Sequence, residues 1–430
     1  MTIGIIDDGL QIAHPDLATN VAAVAGWNFL DKSNDPTPRN PDVDNHGTMV
    51  GGIAAAVGAN NLGVRGVAPA ATLKGFNFLE KRSGISAANV ANLEYAWWHG
   101  AEVRDVQVFN NSWGASAYQS NLPFTISRNE AESFEKGMSS TRTGLGGIYV
   151  KSAGNNSSQS AVKINQQWFD LCTQDTKRRG TGCLPAGFDP RNNLFNVITV
   201  AAVRADGIRS SYSSTGLDGA RSAIDRTCNY TAKMSGTSAA APTVSGVAAL
   251  MLEPNPNLSY RDVKYILATT ATRTDPGQAD VKMSDGRLLV PGWRTNAAGH
   301  AFSNWYGFGV VNAARAVQMA ENFRTLGALV DTDWNTADGP LTIGYTPASA
   351  ARLAFSVNNG PSKIEAVQLG FKVNHNRTHQ LQFVLISPSG TRSVVQPAFT
   401  GIGSGASNFG TRQKYNFTNW QLLSSNAFLD

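Results

Sequence analysis

Gly236-Thr237-Ser238-Ala239-Ala240-Ala241-Pro242, followed by the apolar run Val244 to Leu252, is the stretch that decides how this chain reads. One serine stands between small residues, which let another backbone come close to its hydroxyl, and the run behind it has the character of a buried helix. A serine at a helix start is by itself only an N-cap. Two further stretches give it company: Ile3-Gly4-Ile5-Ile6-Asp7-Asp8-Gly9 and Asn45-His46-Gly47-Thr48. Asp, His and Ser in that order make up one of the three unrelated chain orders in which a hydrolytic triad is built.

Outward from these stretches, residues 1–325 alternate short apolar strands with helices. Strands are expected at Thr2–Ile6, Thr72–Phe78, Val106–Asn110, Gly147–Ser152 and Val197–Val203. Helices are expected at His46–Val57, Ala87–His99, Asn129–Ser139, Thr237–Leu252, Tyr260–Ala271 and Ala313–Arg324. Ser259-Tyr260-Arg261-Asp262 is a capping box. This alternation predicts an α/β fold, a doubly wound and mostly parallel sheet with helices on both faces. Residues 155–195 and 273–307 look irregular. From residue 326 to 430 the helical pattern stops and alternating strands take over at Arg352–Val357, Ala366–Val373 and Gln380–Ser387, which predicts a smaller all-β sandwich domain.

With 42% hydrophobic and 16% charged residues, 430 residues can bury a large core. The net charge of +5 is weak, and no Lys/Arg run exceeds that at 177–179, which excludes nucleic acid as the partner. No apolar stretch reaches the length of about 18 residues that a membrane span needs. Cys172 and Cys183 bracket a short polar loop that a disulfide can close, leaving Cys228 over.

The chemistry follows from strand ends. Asp7 closes a buried strand, at the edge of a parallel sheet where ligands bind, and can hold a histidine in one tautomer. His46 opens a helix of small residues. Asn155, in Ser152-Ala153-Gly154-Asn155, ends another strand, where an amide can donate to a developing oxyanion together with the Ser238 N–H. Each residue alone also reads as a turn or a structural group. Their co-occurrence carries the argument.

Ile-Ile-Asp-Asp-Gly, Asn-His-Gly-Thr, Ser-Ala-Gly-Asn and Gly-Thr-Ser-Ala-Ala-Ala-Pro, in that order, resemble the subtilases, the subtilisin-like serine proteases. The likeness extends to Gly66-Val67-Ala68-Pro69 and Asn110-Asn111-Ser112-Trp113-Gly114. It implies a triad of Asp7, His46 and Ser238 with Asn155 as oxyanion donor, and Ser112, Trp113 and Gly114 pairing with the substrate backbone as an added strand. Asp8, the alanine after the serine, Asn255 to Val263 and Leu385 to Thr391 are similar to the kexin and furin branch and its P-domain. That branch implies Asp8 and Asp175 as acids for basic substrate residues and Asp170 at a nearby calcium. Unlike kexins, the chain has no acid directly after Gly114. The subtilase likeness further implies a calcium held by Asp16, Asn61, Leu62 and Val64.

The expectation is a monomeric, secreted or periplasmic serine endopeptidase of polypeptides, kexin-like in its preference for basic residues. Both ends read as truncated, so a pro-segment or an external chaperone is expected as a partner. A broad degradative protease and a non-catalytic binding protein on the same scaffold are the alternatives.

Overall fold

The computed structural model describes residues 1–82, 85–86, 104–114, 126, 128–158, 161–164, 167–170, 174–213, 230–231, 234–332, 341–344, 346–357, 363–371, 380–400 and 420–424. Six strands form one parallel sheet: β1 (Thr2–Asp7), β2 (Val21–Asn28), β3 (Thr72–Asn77), β4 (Val108–Asn111), β5 (Ile148–Ser152) and, after the hairpin of β6 (Ala161–Ile164) and β7 (Gln167–Asp170), β8 (Val197–Val200). Their order is β8-β5-β4-β1-β3-β2, with every neighbouring pair parallel. Strand β1 is central, and all its residues are buried, because helices and loops cover both faces of such a sheet.

Two hydrophobic clusters flank the sheet. On one face Ile3, Ile5, Val108, Ile148, Val150 and Val200 pack with helices α1 (His46–Ala55), α4 (Thr237–Leu252), α5 (Tyr260–Thr270) and α6 (Ala313–Glu321). On the other, Ile6, Phe76, Phe109 and Tyr149 meet Phe134 of α2 (Arg128–Ser140). Helix α3 (Gln174–Arg179) lies in the region expected to be irregular. Helices α1 and α4 owe their fit to small residues. A Cβ at Gly246 would come within 2.6 Å of Val67 Cβ, and one at Gly51 within 2.8 Å of a Leu10 methyl.

The expected alternation is present, with ends moved by a few residues. The edge strand β2 was not expected: its first half is alanine-rich and only partly buried, so it carries no period-2 signal. The expected helix Ala87–His99 lies outside the described residues. At Ser259 the capping box is present, its Oγ accepting from Asp262 N at 3.2 Å and its N donating to Asp262 Oδ2 at 2.7 Å. The other Asp262 oxygen accepts from Leu326 N at 2.8 Å and so ties the start of the C-terminal region to α5.

That region is β-rich, with β9 (Val367–Phe371) antiparallel to β12 (Trp420–Ser424) and β10 (Phe383–Ile386) antiparallel to β11 (Arg392–Gln396). The strand expected at Arg352–Val357 is absent: residues 351–357 are exposed and enter no ladder among the described residues. Residues 273–307 likewise depart from expectation, since short hairpins pair Val281–Lys282 with Leu288–Val290 and Arg294–Thr295 with Ala301–Phe302. Leu289, Val290, Trp293, Trp305 and Tyr306 form a core shared with Ala398, so both regions bury one surface in common. Arg261 on α5 pairs with Glu365, and Gln368 Nε2 donates to Asn193 O at 2.9 Å. Cys183 is disulfide-bonded, and the other two cysteines lie outside the described residues.

Candidate active site

The site lies at the C-terminal edge of the sheet. Asp7, at the end of β1, is 1% exposed. Its Oδ1 accepts from Asp8 N at 2.9 Å and lies 2.8 Å from His46 Nδ1, while Oδ2 is buried without a donor among the described residues. His46 opens helix α1, whose N-cap residue Asn45 makes no side-chain cap. Asp8 caps the helix instead, its Oδ2 accepting from His46 N at 3.1 Å and its Oδ1 from Gly47 N at 2.7 Å. Helix and strand meet this closely because residue 47 is glycine. A Cβ there would fall 2.1 Å from Gly9 O and 2.8 Å from Asp7 Cβ.

Charge follows from this crowding. Burial works against the imidazolium of His46, but the Asp7 carboxylate outweighs it and, with help from Asp8, pushes the pKa up to about 9. Burial, then Asp7, push the Asp8 carboxyl up to about 6. The pair is thus built to hold a proton on His46.

Ser238 lies in the first turn of α4, behind Gly236 at φ +89°. Its Oγ donates to Ser112 O at 2.9 Å, and its own carbonyl accepts from Ser112 Oγ at 2.9 Å. Pro242 explains the second bond. In an α-helix the Ser238 carbonyl would accept from the N–H of residue 242, and proline has none. The freed carbonyl therefore turns to Ser112. Behind it, Ser245 Oγ donates to Asn110 Oδ1 and Asn110 Nδ2 to Ser112 Oγ, each at 2.9 Å, a buried chain from helix to strand. Among the described residues no hydrogen bond joins Ser238 to His46. Such bonds often form only with substrate in place.

Asn155 follows β5 and is exposed. Its Oδ1 accepts from both Thr237 N and Thr237 Oγ1 at 2.9 Å, which leaves Nδ2 as the outward donor. Gly236 again leaves room, since a Cβ there would lie 2.9 Å from Asn155 Nδ2. The structure thus gathers Asp7, Asp8, His46, Ser112, Asn155 and Ser238 at one edge.

Residues 1–309 match the Subtilase family (peptidase S8), and residues 364–429 match the proprotein convertase P-domain. The chain belongs to the subtilases. It is 34% identical to the extracellular serine protease of Aeromonas sobria, over 94% of this chain and 70% of that protein. It is 28% identical to mouse furin, over 93% of this chain but 47% of furin, about half its length. The crystal structure of the A. sobria protease superposes with a TM-score of 0.83 at 31% identity, covering 100% of this chain and 79% of that one; a second structure holds the A. sobria protease in complex with the chaperone ORF2. This subtilase is therefore a subtilisin-like serine protease, and no helix among its described residues is long and apolar enough to cross a membrane.

The remaining expected residues are placed as follows. Asp170 ends β7 and Asp175 lies in α3, with both side chains outside the described set. Asp16 is fully buried. Its Oδ1 accepts from Asn60 Nδ2 at 2.7 Å and its Oδ2 from Val64 N at 2.8 Å. The amide that reaches it belongs to Asn60; Asn61 is exposed, with φ +58°, next to exposed Leu62. No lysine or arginine pairs with the Asp16 carboxylate among the described residues. Two neutral donors leave about half of its lone-pair sites open, oxygen acceptors of the kind a hard cation takes. Three features escape the sequence: the orienting role of Thr237, the helix cap by Asp8, and Asp189, whose Oδ2 would lie 3.2 Å from a Cβ at Gly114. Only the first leaves a sequence signal, its adjacency to Ser238.

Gly47→Ala should force α1 away from β1. Urea unfolding is expected to show a loss of about 1–3 kcal/mol from overpacking, and proton NMR the disappearance of the downfield His46 Nδ1–H signal. Unchanged stability and an intact signal would contradict this account of the close approach.

Proposed function

We propose that this subtilase cleaves polypeptides with Ser238 as nucleophile, His46 as base and then acid, and Asp7 as the group that orients the imidazole. Ser238 attacks the scissile carbonyl, its proton passes to His46, and the acyl-enzyme is then hydrolysed. Asn155 Nδ2 and the Ser238 N–H receive the oxyanion. Segment 112–114 pairs with the substrate chain. The observation that carries this is the Asp7–His46 contact of 2.8 Å at the sheet edge where the helix start of Ser238 is tied to that segment.

A base must be neutral to act, and kcat/KM reports the free enzyme. It should therefore climb with pH through neutrality towards about 9, where His46 loses its proton. Asp7→Asn removes the larger attraction and leaves burial opposed by Asp8 alone, so the midpoint should drop well below 9. The plateau should fall by about 10⁴-fold. A midpoint that stays near 9 in this variant would show that Asp7 does not set it.

The basic preference rests on Asp8 and Asp175, and the calcium on Asp16 with carbonyls of the 60–64 loop. When bound, the ion would neutralise the buried carboxylate and hold the loop; it has no part in the chemistry. One observation favours the degradative reading instead: Asp189, the acid beside Gly114, is already paired with Lys151 and Arg191. Cleavage of a peptide library ending in Arg-Arg, Lys-Arg, Phe or Leu, with and without a chelator, decides between them. A Lys/Arg preference lost in Asp175→Ala supports the first reading, and a Phe/Leu preference unchanged by it supports the second. Chelation should lower the melting temperature in wild type but not in Asp16→Asn. An equal drop in both would remove the calcium from Asp16.

Secretion is inferred from the extracellular A. sobria relative and agrees with the disulfide at Cys183. Co-expression with a chaperone of the kind in the A. sobria complex should raise the yield of fluorophosphonate-reactive protein. An unchanged yield would mean that the chain folds unaided.

A further inference from the structure

The sheet face opposite α4 buries a cluster of charge. Lys151, on β5, is 2% exposed, and its Nζ lies 2.9 Å from Asp189 Oδ2, 2.9 Å from Trp113 O and 3.2 Å from Ser152 O. These three acceptors use all three donors of the ammonium. Asp189 Oδ1 in turn accepts from Arg191 N at 3.1 Å and Nη1 at 3.2 Å, and Arg191 Nε pairs with Glu130 of α2. The two cations also flank the Trp113 ring, at 5.6 Å for Lys151 and 5.3 Å for Arg191. One ammonium, one guanidinium and two carboxylates make up the cluster.

Burying an ammonium in a sheet face otherwise lined by Phe109, Tyr149 and Val197 is costly, and an apolar side chain would pack there without that cost. What the lysine supplies is a bond to Trp113 O, which also accepts from Ser152 Oγ at 3.0 Å. Both lone pairs of that carbonyl are thereby used, in the middle of a segment that leaves the sheet after Asn111. Trp113 O is held towards β5, while Ser112 O meets the Ser238 hydroxyl.

We propose that Lys151 is a positioning residue for peptide substrates: it fixes the peptide plane of Trp113 and so sets the register in which segment 112–114 pairs with the substrate chain. This rests on the reading above that the segment pairs with substrate. The lysine touches no reacting atom, so its loss should be felt in proportion to how much of the substrate lies along the segment.

The test compares two substrates with the same residue before the scissile bond, a single-residue ester and a peptide extended by three residues on its N-terminal side, together with the rate of fluorophosphonate labelling. In Lys151→Met, kcat/KM for the extended peptide should fall about tenfold or more, while the ester and labelling rates stay within about twofold. If that variant does not fold, Lys151→Met with Asp189→Asn removes one charge of each sign and keeps the Arg191–Glu130 pair. The same selective loss is expected from it. Equal losses for both substrates, or no loss for the peptide, would overturn the proposal. A wild-type enzyme that gains nothing from the longer peptide would instead refute the pairing of segment 112–114, before any variant is made.

Discussion

Ser112 and Ser238 exchange two hydrogen bonds of 2.9 Å, each hydroxyl donating to the carbonyl of the other residue. The exchange is possible because Pro242 removes the N–H that would otherwise occupy the Ser238 carbonyl. It ties the first turn of a buried helix to the end of a sheet strand, the two elements that between them carry the serine hydroxyl and the segment assigned to the substrate. The buried chain through Asn110 and Ser245 supports it from within the core. A hydroxyl on a loop would have no such reference. Here the position of Ser238 relative to segment 112–114 is as well defined as the packing of α4 on the sheet.

Close approach is the second constraint, and glycine supplies it twice. Gly47 lets α1 descend onto the end of β1, which brings His46 to Asp7. Gly236, in a left-handed conformation, leaves room for the Asn155 amide. Asp8 then fixes the start of α1 in place of an ordinary cap. The same carboxylates that position His46 also raise its affinity for a proton, so geometry and electrostatics of the site have one source.

How much of this was legible in the sequence depends on the range of the interactions. Helix α4 coincides with its expected span because its apolar run and its proline are local signals, and the capping box at Ser259 was readable for the same reason. Asp7, His46, Asn155 and Ser238 stand out because four short stretches occur together in one order, and the structure places all four at the C-terminal edge of the sheet. The pairing of Lys151 with Asp189 was not readable, since 38 residues separate two groups that only the sheet brings together. Strand β2, alanine-rich and only partly buried in its first half, lacked the period that marks a strand. The opposite error occurred at Arg352–Val357, where alternating apolar residues carry the period but find no partner strand among the described residues. In the Asp16 loop, which of Asn60 and Asn61 faces Asp16 depends on the left-handed conformations of Ala59, Asn61 and Gly63, which sequence does not reveal.

The measurement closest to the centre of this account is peptide mapping by mass spectrometry after reaction with a fluorophosphonate. A single adduct on Ser238, formed more slowly in Asp7→Asn and accompanied by loss of all peptide hydrolysis in Ser238→Ala, is the expected result. An adduct on another residue, or hydrolysis that survives Ser238→Ala, would contradict the assignment of the site.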